Sequence, residues 1–338
     1  MTQVGLVGVG RIGAFHAATL HALPGVEVVV ADVQAGRAEA LAASLGADWA
    51  PDVGALLDRR PAALVVATPT GSHAELIDRG VAAGIPVFCE KPAADTSART
   101  LEIVNSVDKH GGRVQIGFQR RFDAGYAAAR AEVGRGALGR VHTLRGQTCD
   151  PTPPPAAYIA TSGGVFKDCS IHDFDAIRWV TGREVVSVFA TGSARGEPFF
   201  AASGDVDTAA AVLRLDDDAL ATVTATRYHG AGYAVTLEVQ GTHGTVGAGY
   251  DGSLPLRPVG NPPRTGVCTW PEGPPHPSFM SRFHEAYVRE LQAFVDYAEG
   301  RAENPCTVAD ALEALYIAEA CDLSRAENRP VTLAEVRR

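Results

Sequence analysis

Residues 5–18 read "GLVGVGRIGAFHAA", a valine-rich apolar run that breaks into glycines and resumes as an alanine-rich amphipathic segment. Gly8, Gly10 and Gly13 stand in G-x-G-x-x-G spacing between a predicted strand and a predicted helix, with Arg11 and Ile12 between the last two glycines. A dinucleotide's pyrophosphate needs this arrangement. The turn is tight, backbone N–H groups must touch the phosphates, and the helix must pack close to the sheet with its N-terminus facing the negative charge. Asp32 ends the next apolar run 24 residues after Gly8, where an acid that holds a ribose is expected. A carboxylate there suits the two ribose hydroxyls of NAD and repels the 2′-phosphate of NADP. NAD is favoured, with Arg37 near enough in sequence to offset part of that repulsion.

The same rhythm runs on to about Ile116. The apolar runs "VGLVGV", "VEVVVAD", "ALVVAT", "IPVFCE" and "RVQIGF" alternate with "FHAATLHAL", "RAEALAASLG", "HAELIDRGVAAG" and "SARTLEIVNSVDKHGG". Short Val-rich runs bounded by Gly or Pro are strands, and the alanine-rich segments closed by glycine are helices. Strand and helix in alternation predict a doubly wound parallel sheet with helices on both faces. After Phe118 the pattern changes. A helical segment from Asp123, a proline-rich loop ("DPTPPPAAY") and a helix over about 170–180 precede long strand-like runs at 183–194, 207–228 and 233–250. Two helical segments starting at His284 and Val308 close the chain. Strands joined by short turns predict a large, mostly antiparallel sheet in an α+β domain. The expected division is 1–120 and 121–338, two domains being the expectation for 338 residues.

Composition narrows the function classes. The chain carries a formal charge of -9 with no Lys/Arg-rich run to neutralise phosphates, so no nucleic-acid partner is expected. No apolar segment approaches the ~20 residues that span a bilayer, and the start of the chain enters a strand-like run with no basic region before it and no small-residue cleavage site in the usual place. A cytoplasmic protein without a membrane partner is expected. Cys89, Cys149, Cys169, Cys268, Cys306 and Cys321 are dispersed without a C-x-x-C pair, and reduced thiols are expected.

Two further strand ends belong to the dinucleotide site, because ligands of open α/β sheets collect beyond the carboxyl ends of the strands. "ATPTGSHAEL" supplies Thr68 and Pro69, with Ser72 as a candidate N-cap and His73 after it. "IPVFCEKPAA" supplies Glu90 and Lys91, a charged pair that is costly behind a buried strand unless it is used or satisfied. A second polar concentration is "SGGVFKDCSIHDFD" at 162–175. Asp168 and His172 are four apart and share a face of a helix. They suit alcohol oxidation, in which a base takes the hydroxyl proton while the carbinol hydride leaves for a nicotinamide. Imidazole, with an ordinary pKa of about 6.5, fits that task. Competing readings are a metal site, a Cys169 or Ser170 nucleophile, and a simple helix cap. No metal is expected, since Cys169 points away from Asp168 on a helix and no second ligand cluster appears.

Together "GRIG", "ATPT", "EKP" and the 162–175 segment resemble the Gfo/Idh/MocA oxidoreductases, within which "GFQRRFD" (117–123), residues 150–179 and "SRFHEAYVRELQAF" (281–294) are similar to inositol 2-dehydrogenases. The resemblance implies an N-terminal Rossmann domain and a C-terminal sheet whose free face supports homo-oligomers, dimers or homotetramers. It also implies Lys91, Asp168 and His172 as catalytic residues, with Asp175 at a position that holds substrate hydroxyls. A cyclitol substrate needs several polar partners, and Asp150, Tyr158, Tyr233 and Arg121 are candidates beside Lys91. One departure stands out. Ala234 follows Gly232 and Tyr233 where those enzymes tend to carry an acid, so strict myo-inositol specificity is not implied and another cyclitol or sugar is open. A catalytically dead NAD-binding sensor is the reading from another class, against which the Lys91, Asp168 and His172 set counts.

Overall fold

The computed structural model describes residues 1–249, 256–258 and 276–337. Tyr250, the last residue of the third predicted strand run, and Cys268 lie outside the described residues. The chain divides into two compact units, Met1–Gln119 with Glu285–Leu312, and Arg120–His284 with Glu313–Arg338.

In the first unit the chain forms β1 (Thr2–Val7), α1 (Arg11–Ala22), β2 (Val26–Ala31), α2 (Ala35–Leu45), β3 (Asp48–Trp49), α3 (Val53–Asp58), β4 (Ala63–Val66), α4 (His73–Ala82), β5 (Val87–Glu90), α5 (Ser97–His110) and β6 (Val114–Gly117). The sheet order is β3-β2-β1-β4-β5-β6, and every pair is parallel. The order reverses between β1 and β4, which puts the loop with Gly8 and the loop with Thr68 side by side at the carboxyl edge. β3 and α3 are additions to the predicted pattern.

The expected cut near residue 120 omits a return of the chain. A later helix at His284–Ala298 buries Leu291, Phe294, Val295 and Ala298 in one core with Leu6, Val28, Val65 and Phe88, so its apolar stripe belongs to the first unit.

The second unit contains α6 (Ala124–Gly134), β7 (Val141–Cys149), α7 (Ala156–Ile159), α8 (Ile171–Thr181), β8 (Val185–Ser193), α9 (Phe199–Ala202), β9 (Thr208–Leu215), β10 (Leu220–Thr226), β11 (Ala234–Gly241), β12 (Thr245–Ala248), β13 (Leu256–Pro258) and β14 (Val331–Thr332). They form a sheet of order β13-β12-β11-β7-β10-β9-β8-β14. All pairings are antiparallel except β7 with β10. That exception arises because β7, which precedes α7 and α8 in the chain, fills the place between β10 and β11 that sequence adjacency would have closed. β9 alternates exposed and buried residues along its length, so one sheet face is covered and the other open.

Several buried charges are paired in this unit. Arg120, in the turn Gln119–Phe122, donates to Asp173 at 2.6 Å and to Thr148 at 2.7 Å, and Thr148 donates to the other Asp173 oxygen at 2.7 Å. Burial opposes the Arg120 charge, but Asp173 outweighs it and the guanidinium stays protonated; burial also pushes the Asp173 carboxyl up, against the pull of Arg120 and Thr148. Asp123 caps α6 through Gly125 and Tyr126 and accepts from Arg282 at 2.8 Å. Among the described residues no helix is long and apolar enough to cross a membrane.

Replacing Arg120 by Met strands Asp173 and should lower the unfolding free energy by about 3–5 kcal/mol. Urea unfolding checks this; a shift below about 1 kcal/mol would mean that the network does not hold α8 to β7.

Candidate active site

The glycines of the first unit divide by what requires them. Gly8 has φ +92°, in the left-handed region, and a Cβ there would lie 2.7 Å from the Ala67 carbonyl oxygen. A Cβ on Gly13 would fall 1.8 Å from the Gly8 oxygen. Packing of the turn and α1 forbids side chains at both. At Gly10, the N-cap of α1, a Cβ would meet nothing within 4 Å, and no side chain caps the helix. The protein itself does not demand glycine there. A pyrophosphate resting on the first N–H groups of α1 would demand it, and these residues fit that group. Arg11 is exposed and Ile12 half-buried at the start of α1.

Asp32 is buried just after β2, its carboxylate accepting from Val9 N–H and Gln34 N–H at 2.9 Å each. Each oxygen keeps a lone pair for a ribose hydroxyl. After β4, Ser72 does not cap α4; its hydroxyl donates back to Thr68 Oγ1 at 2.7 Å and to the Pro69 carbonyl at 2.9 Å. His73 is buried, its ring nitrogens 2.8 Å from the carbonyl oxygens of Pro92 and Thr68. It therefore ties two loops together. Glu90 Oε1 lies 2.6 Å from Nε2 of His16, a fully buried residue of α1 that the sequence reading did not single out. Its signal was a histidine on an otherwise apolar helix face. Lys91 follows, half-buried.

In the second unit, Gly163 and Gly164 (φ +80° and +92°) lead into a π-helical turn, Phe166–Ser170, which runs into α8. Asp168 therefore sits on a wider turn than the α-helical start predicted for it, a local form frequent at functional sites. Its Oδ1 accepts from the Tyr158 hydroxyl at 2.8 Å and its Oδ2 from Arg227 Nη2 at 2.6 Å. Arg227 Nη1 donates to Asp150 Oδ2 at 2.8 Å, and Cys169 Sγ lies 3.7 Å from the same oxygen. Burial opposes the Arg227 charge, but Cys169, Asp168 and Asp150 outweigh it and the guanidinium stays positive. Four sequence candidates or their neighbours thus gather around an arginine that sequence reading missed.

His172 is the second residue of α8, half-buried. Tyr233 is buried against Phe279 and Phe283, and burial pushes its phenol up against the pull of Arg120, so it remains a donor. Arg121 and Asp175 are both buried, Arg121 Nε donating at 3.0 Å to one Asp175 oxygen and Nη2 to the other. Expected as separate substrate contacts, they are each other's bidentate partner, because a buried carboxylate needs a counter-ion. Among the described residues no group of three or more His, Cys, Asp or Glu is placed to hold a metal, and Cys89, Cys149, Cys169, Cys306 and Cys321 are buried outside any disulfide.

Residues 2–118 match the oxidoreductase family with an NAD-binding Rossmann fold, and residues 126–247 the GFO/IDH/MocA C-terminal domain. The chain belongs to the Gfo/Idh/MocA oxidoreductase family. Within it, the chain is 40% identical over 324 residues to a myo-inositol dehydrogenase of Streptomyces leeuwenhoekii, covering 95% of this chain and 96% of that one. The crystal structure of a myo-inositol dehydrogenase from Corynebacterium glutamicum aligns with TM-score 0.88 at 32% identity, covering 98% and 99%. A scyllo-inositol dehydrogenase from Lactobacillus casei, solved with NAD(H) and scyllo-inositol, aligns with TM-score 0.85 at 29% identity, covering 99% of each chain.

Gly10→Ala should leave the melting temperature unchanged while raising the NAD dissociation constant about tenfold or more, a loss of ~1.4 kcal/mol. Gly13→Ala should instead lower stability by about 1–3 kcal/mol through overpacking. Thermal melts beside NAD titrations separate the two; equal losses of stability would refute the division.

Proposed function

We propose that the protein oxidises a secondary alcohol of a cyclitol to the ketone, with NAD as acceptor. The observation that carries the reading is the ordered Asp168 carboxylate, with a donor on each oxygen, in a chain whose relatives include inositol dehydrogenases.

Gly8, Gly10 and the uncapped start of α1 hold the pyrophosphate, Thr68 and Pro69 border it, and Asp32 takes the ribose hydroxyls, setting NAD above NADP. NAD, when bound, accepts the hydride from the carbinol carbon. His172 takes the hydroxyl proton. Lys91 donates to the same oxygen and stabilises its developing negative charge, while Asp168 stabilises the imidazolium. Asp150, Tyr158 and Tyr233 recognise further hydroxyls, and the Arg121–Asp175 pair is a fixed polar wall. Ala234 at the start of β11 leaves the isomer to be set by the other contacts, so scyllo- and myo-inositol are both within the reading. Self-association belongs to the open face of the second sheet, where Phe189 and Val212 pair in register and are exposed.

His172→Ala and Lys91→Ala should each cut turnover at least ~100-fold with NAD binding intact. Asp32→Ala should narrow the gap between NAD and NADP. A spectrophotometric screen for NADH formation over myo-, scyllo- and chiro-inositol, glucose and related aldoses tests the substrate class; silence on all cyclitols would overturn it.

A further inference from the structure

Asp168 and Asp150 come from different parts of the second unit, one from the π-helical turn and one from the end of β7, and both end on one guanidinium. Arg227 is only 2% exposed, so its charge is almost wholly committed to them. Sharing splits its donors cleanly: Nη2 to Asp168 at 2.6 Å and Nη1 to Asp150 at 2.8 Å. With the Tyr158 hydroxyl on the other oxygen, Asp168 has a donor at both ends, the arrangement that favours the ionised form.

We propose that Arg227 is a positioning residue of the dehydrogenase reaction: it keeps Asp168 ionised and oriented, so that Asp168 acts as a fixed negative charge and never as the proton acceptor. The inference rests on the cyclitol dehydrogenase reading and deepens it. The titratable groups around Asp168 are Tyr158 from α7, Arg227 after β10, Asp150 after β7, and Lys167, Cys169 and His172 on its own segment. Lys167 lies 3.5 Å from Glu319, an ion pair that engages its charge, while Arg227 places a guanidinium nitrogen 2.6 Å from Asp168 Oδ2. Removing Arg227 takes away the opposite charge. The surroundings then grow more negative, so Asp168 and the proton acceptor His172 both hold a proton to higher pH, and activity that needs a neutral imidazole beside a carboxylate is lost sooner as pH falls.

The test measures kcat and KM against pH for wild type, Arg227→Gln and Arg227→Lys, with NAD binding followed by titration and folding by thermal melt. Arg227→Gln should lower kcat about 100-fold with the NAD dissociation constant unchanged. Its acidic limb should move up by about one pH unit or more. Arg227→Lys should recover part of kcat and return the limb toward wild type. Should Arg227→Gln not fold, Arg227→Lys carries the test: its acidic limb should lie measurably above that of wild type by up to about one unit, and a limb at the wild-type position overturns the positioning role. An active wild type with unmoved limbs in the folded variants overturns the positioning role alone. A wild type that forms no NADH from any cyclitol overturns the dehydrogenase reading and this proposal with it.

Discussion

A charge taken out of water needs a hydrogen-bonded partner, and in the second unit four arginines meet carboxylates. Arg120 meets Asp173, Arg121 meets Asp175, Arg282 meets Asp123, and Arg227 meets Asp150 and Asp168 together. These pairs join the turn after β6, the start of α6, the end of β7, the π-helical turn, α8 and the segment before the helix at 284–298. Such pairs add little net stability over an apolar core. Their geometry is directional, however, and a guanidinium satisfied by two hydrogen bonds fixes where a carboxylate points far more tightly than packing does.

The four pairs are not equivalent. Three match one guanidinium to one carboxylate. The Arg227 cluster matches one guanidinium to two carboxylates, one acid more than the base that joins them, in a segment where His172 lies four residues beyond Asp168. An excess negative charge near an imidazole stabilises its protonated form, which is the form a general base reaches once it has taken the alcohol's proton. In the proposed reaction the imbalance is therefore useful. A second arginine in the cluster would neutralise it and remove that assistance.

What was legible in the sequence follows from the range of each signal. The parallel sheet was, because Val-rich runs and alanine-rich segments repeat at the period of strand and helix, and the G-x-G-x-x-G turn announces itself within six residues. β3 was not, since two residues carry no alternation. The amphipathic stripe of 284–298 showed that this helix buries one face but not against what, and its core partners Leu6 and Phe88 lie far back in the chain. Arg227 escaped for the same reason. It stands 77 residues from Asp150 and 59 from Asp168, and a single arginine at a strand end has no pattern of its own. His16 and Glu90, 74 residues apart, form another such pair.

Asp32 and Asp168 are placed by different means, and the difference bears on their chemistry. Asp32 is held by the N–H groups of Val9 and Gln34, neutral donors that fix the oxygens without cancelling their charge. That suits a group whose task is to accept hydrogen bonds from ribose hydroxyls and to repel a 2′-phosphate. Asp168 is held by a guanidinium, which fixes the oxygens and also lowers the cost of keeping them ionised. That suits a group that must remain an anion while a proton moves nearby. Gly10 completes the contrast: what matters at α1 is a side chain left out, so that backbone donors alone face the ligand.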